Sequence, residues 1–107
     1  MILLILQGEP HTGKSTFSIN FVKDKKDWIR ISLDDLRNMK NTFWQFNQEK
    51  YIKECELFMV KNALEHGFNV VVDACNIRRK TIYKWIKLAN EIPNTQIEFK
   101  KFNTKYK

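Results

Sequence analysis

A chain of 107 residues has room for one small domain, and its 43% hydrophobic and 13% aromatic content separates it from disordered segments. Nineteen basic against twelve acidic side chains leave a net charge of +7, which either draws polyanions to the surface or only keeps a small protein in solution. No apolar run reaches the roughly 18 residues of a membrane span, the apolar start has no basic leader or cleavage site, and Cys55 and Cys75 make no metal-type spacing. The two cysteines fit a reducing cytoplasm, with a single bridge between them as the alternative.

Met1 to Leu6 is a continuous apolar run, the pattern of a parallel strand buried on both faces. It leads into Gly8-Glu9-Pro10-His11-Thr12-Gly13-Lys14-Ser15-Thr16, which fits the phosphate-loop pattern G-x-x-x-x-G-K-[ST]. Backbone N–H groups of such a loop wrap a phosphate chain, and the next helix aims its positive dipole end at it. Lys14 would meet the β- and γ-phosphates of ATP, and the Ser15 hydroxyl would help to hold Mg²⁺. Glu9, a negative charge in that loop, is expected to point outward, and His11 to face solvent. A helix from about Lys14 to Lys23 follows, with Phe17, Ile19, Phe21 and Val22 available for the core.

A charged turn, 23–27, introduces a second strand over Trp28 to Leu33. Asp34-Asp35-Leu36-Arg37 then opens a short helix or irregular segment up to about Phe46. The spacing predicts a long helix from about Asn47 to His66, with Tyr51, Ile52, Cys55, Phe58, Met59 and Ala63 on its inner face and Gly67 just past its end. Phe68 to Val72 reads as a third strand stopping at Asp73. Arg78 to Asn90 reads as a helix that turns Ile82, Trp85, Ile86 and Ala89 inward and ends before Pro93. Thr95 to Phe102 is a fourth strand, with Lys100, Lys101, Lys105 and Lys107 crowding the end. Strand alternating with helix predicts an α/β fold with a parallel sheet between helical layers.

In an open α/β sheet, ligands sit outside the carboxyl ends of the strands. Asp34 and Asp35 follow the second strand and Asp73 the third, so all three are expected near the phosphate loop. Asp73 is either a turn residue or part of the Mg²⁺ shell, and Asp35 is expected to cap the helix after it.

The phosphate loop, Ser32-Leu33-Asp34-Asp35-Leu36-Arg37 and Val70-Val71-Val72-Asp73-Ala74-Cys75-Asn76, in that order, resemble the kinase domain of phage-type polynucleotide 5′-kinases. The resemblance covers nearly the whole chain. It implies a three-layer P-loop NTPase fold, with the four strands in order 2-3-1-4, over a single domain of residues 1–107. It also implies phosphoryl transfer from ATP with Mg²⁺ to the 5′-hydroxyl of a polynucleotide, with Lys14, Asp34 and Arg37 catalytic. Asp34 would be the base and Arg37 would orient it. Cys75 stands where threonine is usual. That family continues into a lid with an arginine and a fifth strand, so the chain is expected to be a slow minimal kinase, a fragment, or one whose lid comes from a partner chain. Arg78, Arg79 and Lys80 are either a solvated helix start or a site for acceptor phosphates, and Phe43, Trp44 and Phe46 either cover the sheet or stack on a base. A small-molecule or nucleoside kinase, and a nucleotide-binding regulatory ATPase module with little turnover, are the alternatives.

Overall fold

The computed structural model describes residues 1–39 and 46–103. Along the chain come β1 (Ile2–Gln7), α1 (Lys14–Val22), β2 (Trp28–Ser32), α2 (Leu33–Arg37), α3 (Phe46–Glu65), β3 (Asn69–Asp73), α4 (Arg79–Glu91) and β4 (Gln96–Lys101). The four strands form one parallel sheet in the order β2-β3-β1-β4. This is the fold class and strand order that the sequence leads one to expect.

Strand alternation divides the core. Leu3 and Ile5 of β1, with Ile31, Val70 and Val72, face Val60, Leu64, Trp85 and Leu88 of α3 and α4. Leu4, Leu6 and Val71 face the other way, under Phe17, Phe21 and Val22 of α1, with Trp28 and Phe102. Helices therefore cover both faces, which is why β1 reads as an unbroken apolar run. Trp85, fully buried, fills the α4 side of that core, and truncating a side chain of this size in a core costs about 3–5 kcal/mol.

The inner face of α3 differs from the expected one. Ile52 and Ala63 are buried, but Tyr51, Phe58 and Met59 are exposed, and Glu49, Glu56, Val60 and Leu64 take the inward positions. Two acids on the inner stripe disguise its register. The helix ends in paired bonds from Phe68 N–H to the Ala63 carbonyl (3.0 Å) and from Gly67 N–H to that of Leu64 (2.9 Å), which close its last turn. Ile19 is likewise exposed on α1 rather than in the core.

Asp35 is not the cap of α2. That helix starts one residue before Asp34, and the Ser32 hydroxyl caps it by accepting from the Asp35 N–H at 3.2 Å. Both cysteines are free thiols. Among the described residues no helix is long and apolar enough to cross a membrane. Phe43, Trp44, the side chain of Phe46, Lys105 and Lys107 lie outside what is described.

Candidate functional site

The phosphate loop leaves β1 between the ends of its two neighbours. Gly8 N–H donates to the Cys75 carbonyl after β3 (3.0 Å), while Phe102 N–H, after β4, donates to the Gln7 carbonyl (2.7 Å). A Cβ on Gly8 would come within 2.7 Å of the Phe102 carbonyl oxygen, so only glycine passes through this gap. At the far end of the loop Gly13 has φ 97°, in the left-handed region, and its carbonyl accepts the first helical bond, from Phe17 N–H (2.9 Å). Its role is conformational, because a Cβ added there would meet nothing within 4 Å.

Lys14 is buried at the head of α1 and curls back over the loop. Its Nζ donates to the carbonyls of Gly8 (2.9 Å) and Glu9 (2.7 Å). Thr12 Oγ1 also donates to the Glu9 carbonyl, at 2.8 Å, and braces the turn. These bonds hold the ammonium against the backbone of the loop.

A cleft of about 450 Å³ opens above the loop, lined by Pro10, His11, Gly13, Lys14, Ser15 and Thr16 on one side and by Asp34, Arg37, Asp73, Ala74 and Cys75 on the other. Three segments thus meet there, the loop with the head of α1, the helix α2 and the end of β3, at the carboxyl edge of the sheet. Gly8, Glu9 and Thr12 shape the loop from behind and are not among the lining residues. Glu9 is exposed. His11 is exposed too, but it forms part of the cleft wall and carries a positive φ of 66°. Arg78, Arg79 and Lys80 are exposed at the start of α4 and do not line the cleft. A larger groove of about 760 Å³ lies between α2 and α3, lined by Leu36, Met39, Tyr51, Phe58 and neighbouring residues. Among the described residues its lining holds no cation for a phosphate.

The acids of the cleft are held differently. Asp73 is buried and faces α1, because it sits in the same alternation as Val71. Its Oδ2 accepts from Ser18 Oγ (3.0 Å) and from the Arg30 guanidinium (2.8 Å). The same guanidinium also reaches Asp35 Oδ2 at 2.8 Å and Ser18 Oγ at 2.7 Å. Asp34 is exposed on α2, and its Oδ1 accepts from Arg37 at 3.1 Å. Arg37 in turn donates to both carboxylate oxygens of Glu49 on α3. Glu49, with Asp34 as the lesser contributor, raises the Arg37 pKa above its ordinary value and fixes it as a cation.

Sequence reasoning missed Arg30 and Glu49. An arginine in the middle of a strand, and an acid on the inner stripe of a helix, were the available signals, since a buried charge needs a partner. It singled out the segment Asp73 to Asn76 but gave Asn76 no role. There Asn76, at φ 50°, donates from Nδ2 to the carbonyls of Leu6 (2.7 Å) and Ala74 (3.2 Å) and accepts from Trp85 Nε1 (3.0 Å), while Gln7 Nε2 donates to its carbonyl (3.1 Å). Asn76 thereby locks the segment carrying Asp73, Ala74 and Cys75 against the root of the phosphate loop.

Several known proteins are built alike. A chain of the Pnkp1/Rnl/Hen1 complex superposes with a TM-score of 0.85 at 30% identity, over 97% of this chain and 36% of that one. An APS kinase of Mycobacterium tuberculosis shares the fold at a TM-score of 0.60 and 16% identity, over 98% of this chain and 77% of that one. The L-seryl-tRNA(Sec) kinase of Methanococcus maripaludis is 38% identical over 78 residues, which span 70% of this chain and 31% of that protein. The chain thus spans about a third of the length of the curated relative. The model of the AAA domain family matches residues 3–100, nearly the whole sheet with its helices, and the chain belongs to that family.

Proposed function

We propose that this domain transfers the γ-phosphoryl group of ATP to a hydroxyl group on a nucleic acid, in the first instance the 5′-hydroxyl of a polynucleotide. The observation that carries the reading is the single cleft in which Lys14 and Ser15 of the loop meet Asp73 on one side and the Asp34–Arg37 pair on the other. Phosphoryl transfer needs little covalent help from the protein. It needs positioning, cations on the moving oxygens and a group to take the acceptor's proton.

The donor set suits Mg²⁺. Ser15 and the buried Asp73 share the cleft, and no group of three or more acid, histidine or cysteine side chains forms a dedicated cage among the described residues. Mg²⁺ prefers such open sites, with one or two protein ligands, waters and substrate phosphates. Ser15 and Asp73 would hold the ion, which would supply positive charge against the phosphates. Loop amides and the α1 dipole would hold the phosphates, and Lys14 would turn from the carbonyls of Gly8 and Glu9 to the β- and γ-oxygens. Asp34 would take the hydroxyl proton as the acceptor oxygen bonds to phosphorus. The bond from that phosphorus to the β-bridging oxygen would break, and ADP would leave with the electron pair. Arg37, anchored by Glu49, would hold Asp34 in place and present a positive charge beside the transferring group.

The net charge of +7 supports a polyanionic acceptor. The Methanococcus relative, by its name, acts on a seryl-tRNA, which supports an aminoacylated RNA as the second acceptor to be tried. The deciding experiment incubates the protein with labelled ATP, Mg²⁺ and either a 5′-hydroxyl oligonucleotide or seryl-tRNA. Label on the oligonucleotide that falls steeply with added salt is the expected result. Label on seryl-tRNA alone moves the assignment to that acceptor, and label on neither, with ATP still bound, overturns the nucleic-acid acceptor reading. Lys14→Ala is expected to lose nucleotide binding, whereas Asp34→Asn keeps it and loses about 10²–10⁴-fold in transfer rate.

A further inference from the structure

Arg30 lies outside the phosphate loop and is absent from the cleft wall, yet it joins the two halves of the site. It projects from the middle of β2 on the face it shares with Trp28, opposite Val71 of β3, which brings it to Asp73 two residues along and to Ser18 of α1. Its three nitrogens are all engaged: Nε with Ser18 Oγ at 2.7 Å, one terminal nitrogen with Asp73 at 2.8 Å and the other with Asp35 at 2.8 Å. The Ser18 hydroxyl accepts that bond and has one hydrogen to give. Directed at Asp73 Oδ2, 3.0 Å away, rather than at the Ser15 carbonyl, 3.1 Å away, it brings a second donor to the same carboxylate oxygen. Asp73 is therefore fixed in orientation, and part of its charge is already answered from within the protein. Asp35 ties the same guanidinium to α2, the helix that carries Asp34 and Arg37.

Resting on the reading of Asp73 as the acid on the Mg²⁺ side, we propose that Arg30 is a positioning residue with two separable effects. Its charge weakens the hold of the cleft on a divalent cation, because metal affinity rises with the uncompensated charge of the ligands. Its forked geometry couples Asp73 to Asp35, so that the metal side and the acceptor side of the cleft keep a fixed spacing. Lysine could supply the charge but not the fork.

Binding of a fluorescent ATP analogue, followed as Mg²⁺ is titrated, tests the first effect without any acceptor. Phosphoryl transfer to a 5′-hydroxyl oligonucleotide at saturating nucleotide tests the second, and thermal melts accompany both. Arg30→Gln is expected to lower the Mg²⁺ concentration at half-saturation about threefold or more, since the carboxylate charge is then unopposed. Arg30→Lys is expected to restore the wild-type midpoint. Both variants are expected to lose about tenfold in transfer rate, because neither spans the two carboxylates. An unchanged or raised midpoint in a folded Arg30→Gln protein, or a full transfer rate in Arg30→Lys, overturns the proposal. Should Arg30→Gln fail to fold, Arg30→Lys decides alone: a wild-type midpoint with a tenfold lower rate supports it, and any other pairing refutes it. A wild-type protein that binds the nucleotide but phosphorylates no oligonucleotide sinks the acceptor reading and leaves the metal titration to judge Arg30.

Discussion

Arg37 Nε lies 3.2 Å from one carboxylate oxygen of Glu49 and 3.1 Å from the other, so a buried acid on α3 holds the cation that steadies Asp34 on α2. The pair staples a five-residue helix, too short to hold itself, to one of twenty. Glu49→Gln keeps the shape of the side chain but gives up the charge and one acceptor. We expect a loss of about tenfold in transfer rate, since small misplacements of a reacting group are costly. Affinity for MgATP, set by the loop, should stay within about twofold. Steady-state kinetics beside a direct nucleotide-binding measurement check this, and equal losses in both would show that Glu49 acts on the loop instead.

Asn76 gives the second prediction. Alanine there leaves the buried Trp85 N–H without its acceptor and frees the loop behind Asp73 from the Leu6 carbonyl. Destabilisation of about 2–4 kcal/mol is expected, from several buried bonds lost at once. Aspartate at 76 could still accept from Trp85, but its second oxygen would face the carbonyls of Leu6 and Ala74, where the amide now donates. Chemical denaturation should therefore place Asn76→Asp no higher in stability than Asn76→Ala.

The two loop glycines should fail in different ways. Gly8→Ala pushes a methyl to 2.7 Å from the Phe102 carbonyl oxygen and 3.1 Å from Thr12 Oγ1, so the root of the loop or the end of β4 has to move. Nucleotide affinity should fall about tenfold or more, with about 1–3 kcal/mol of stability lost to overpacking. Gly13→Ala meets no neighbour but is held at φ 97°, which strains a side-chain-bearing residue by about 1–3 kcal/mol. If calorimetry finds ATP binding intact in Gly8→Ala, the wall formed by Phe102 is softer than this packing implies.

Much of this arrangement is legible in the chain itself. An unbroken apolar strand before a glycine-rich loop, and acids at the ends of Val-rich and Ile-rich strands, announce a parallel sheet with its site at the carboxyl edge. What stays hidden depends on partners distant in sequence. Arg30 and Asp73 are 43 residues apart and meet only because β2 and β3 are neighbours in register. The inner face of α3 is misread for a related reason. Tyr51, Phe58 and Met59 look like core residues, while Glu49 and Glu56 look like solvent, until Arg37 and Lys84 are found to pair with those acids from neighbouring helices.

Glu56 supplies the last prediction, which concerns pH. It is almost fully buried, its Oε1 lies 3.5 Å from Lys84 Nζ, and its Oε2 has no hydrogen-bond partner among the described residues. Burial pushes its pKa above the usual carboxylate value, and Lys84 offsets that only in part. The folded protein therefore holds this proton over a pH range in which the unfolded chain has released it. Stability falls as pH rises through that range, from the ordinary glutamate pKa up to the raised folded one, and above it the cost of burying the charge is fully present. Glu56→Gln removes the titration while keeping the volume. We expect it to melt several degrees higher than wild type at pH 8, with the gap narrowing as the pH falls below the ordinary glutamate range. Melting curves from pH 4 to 8 read the difference directly. A variant less stable than wild type at pH 8 would mean that the Lys84 pairing outweighs the cost of burial.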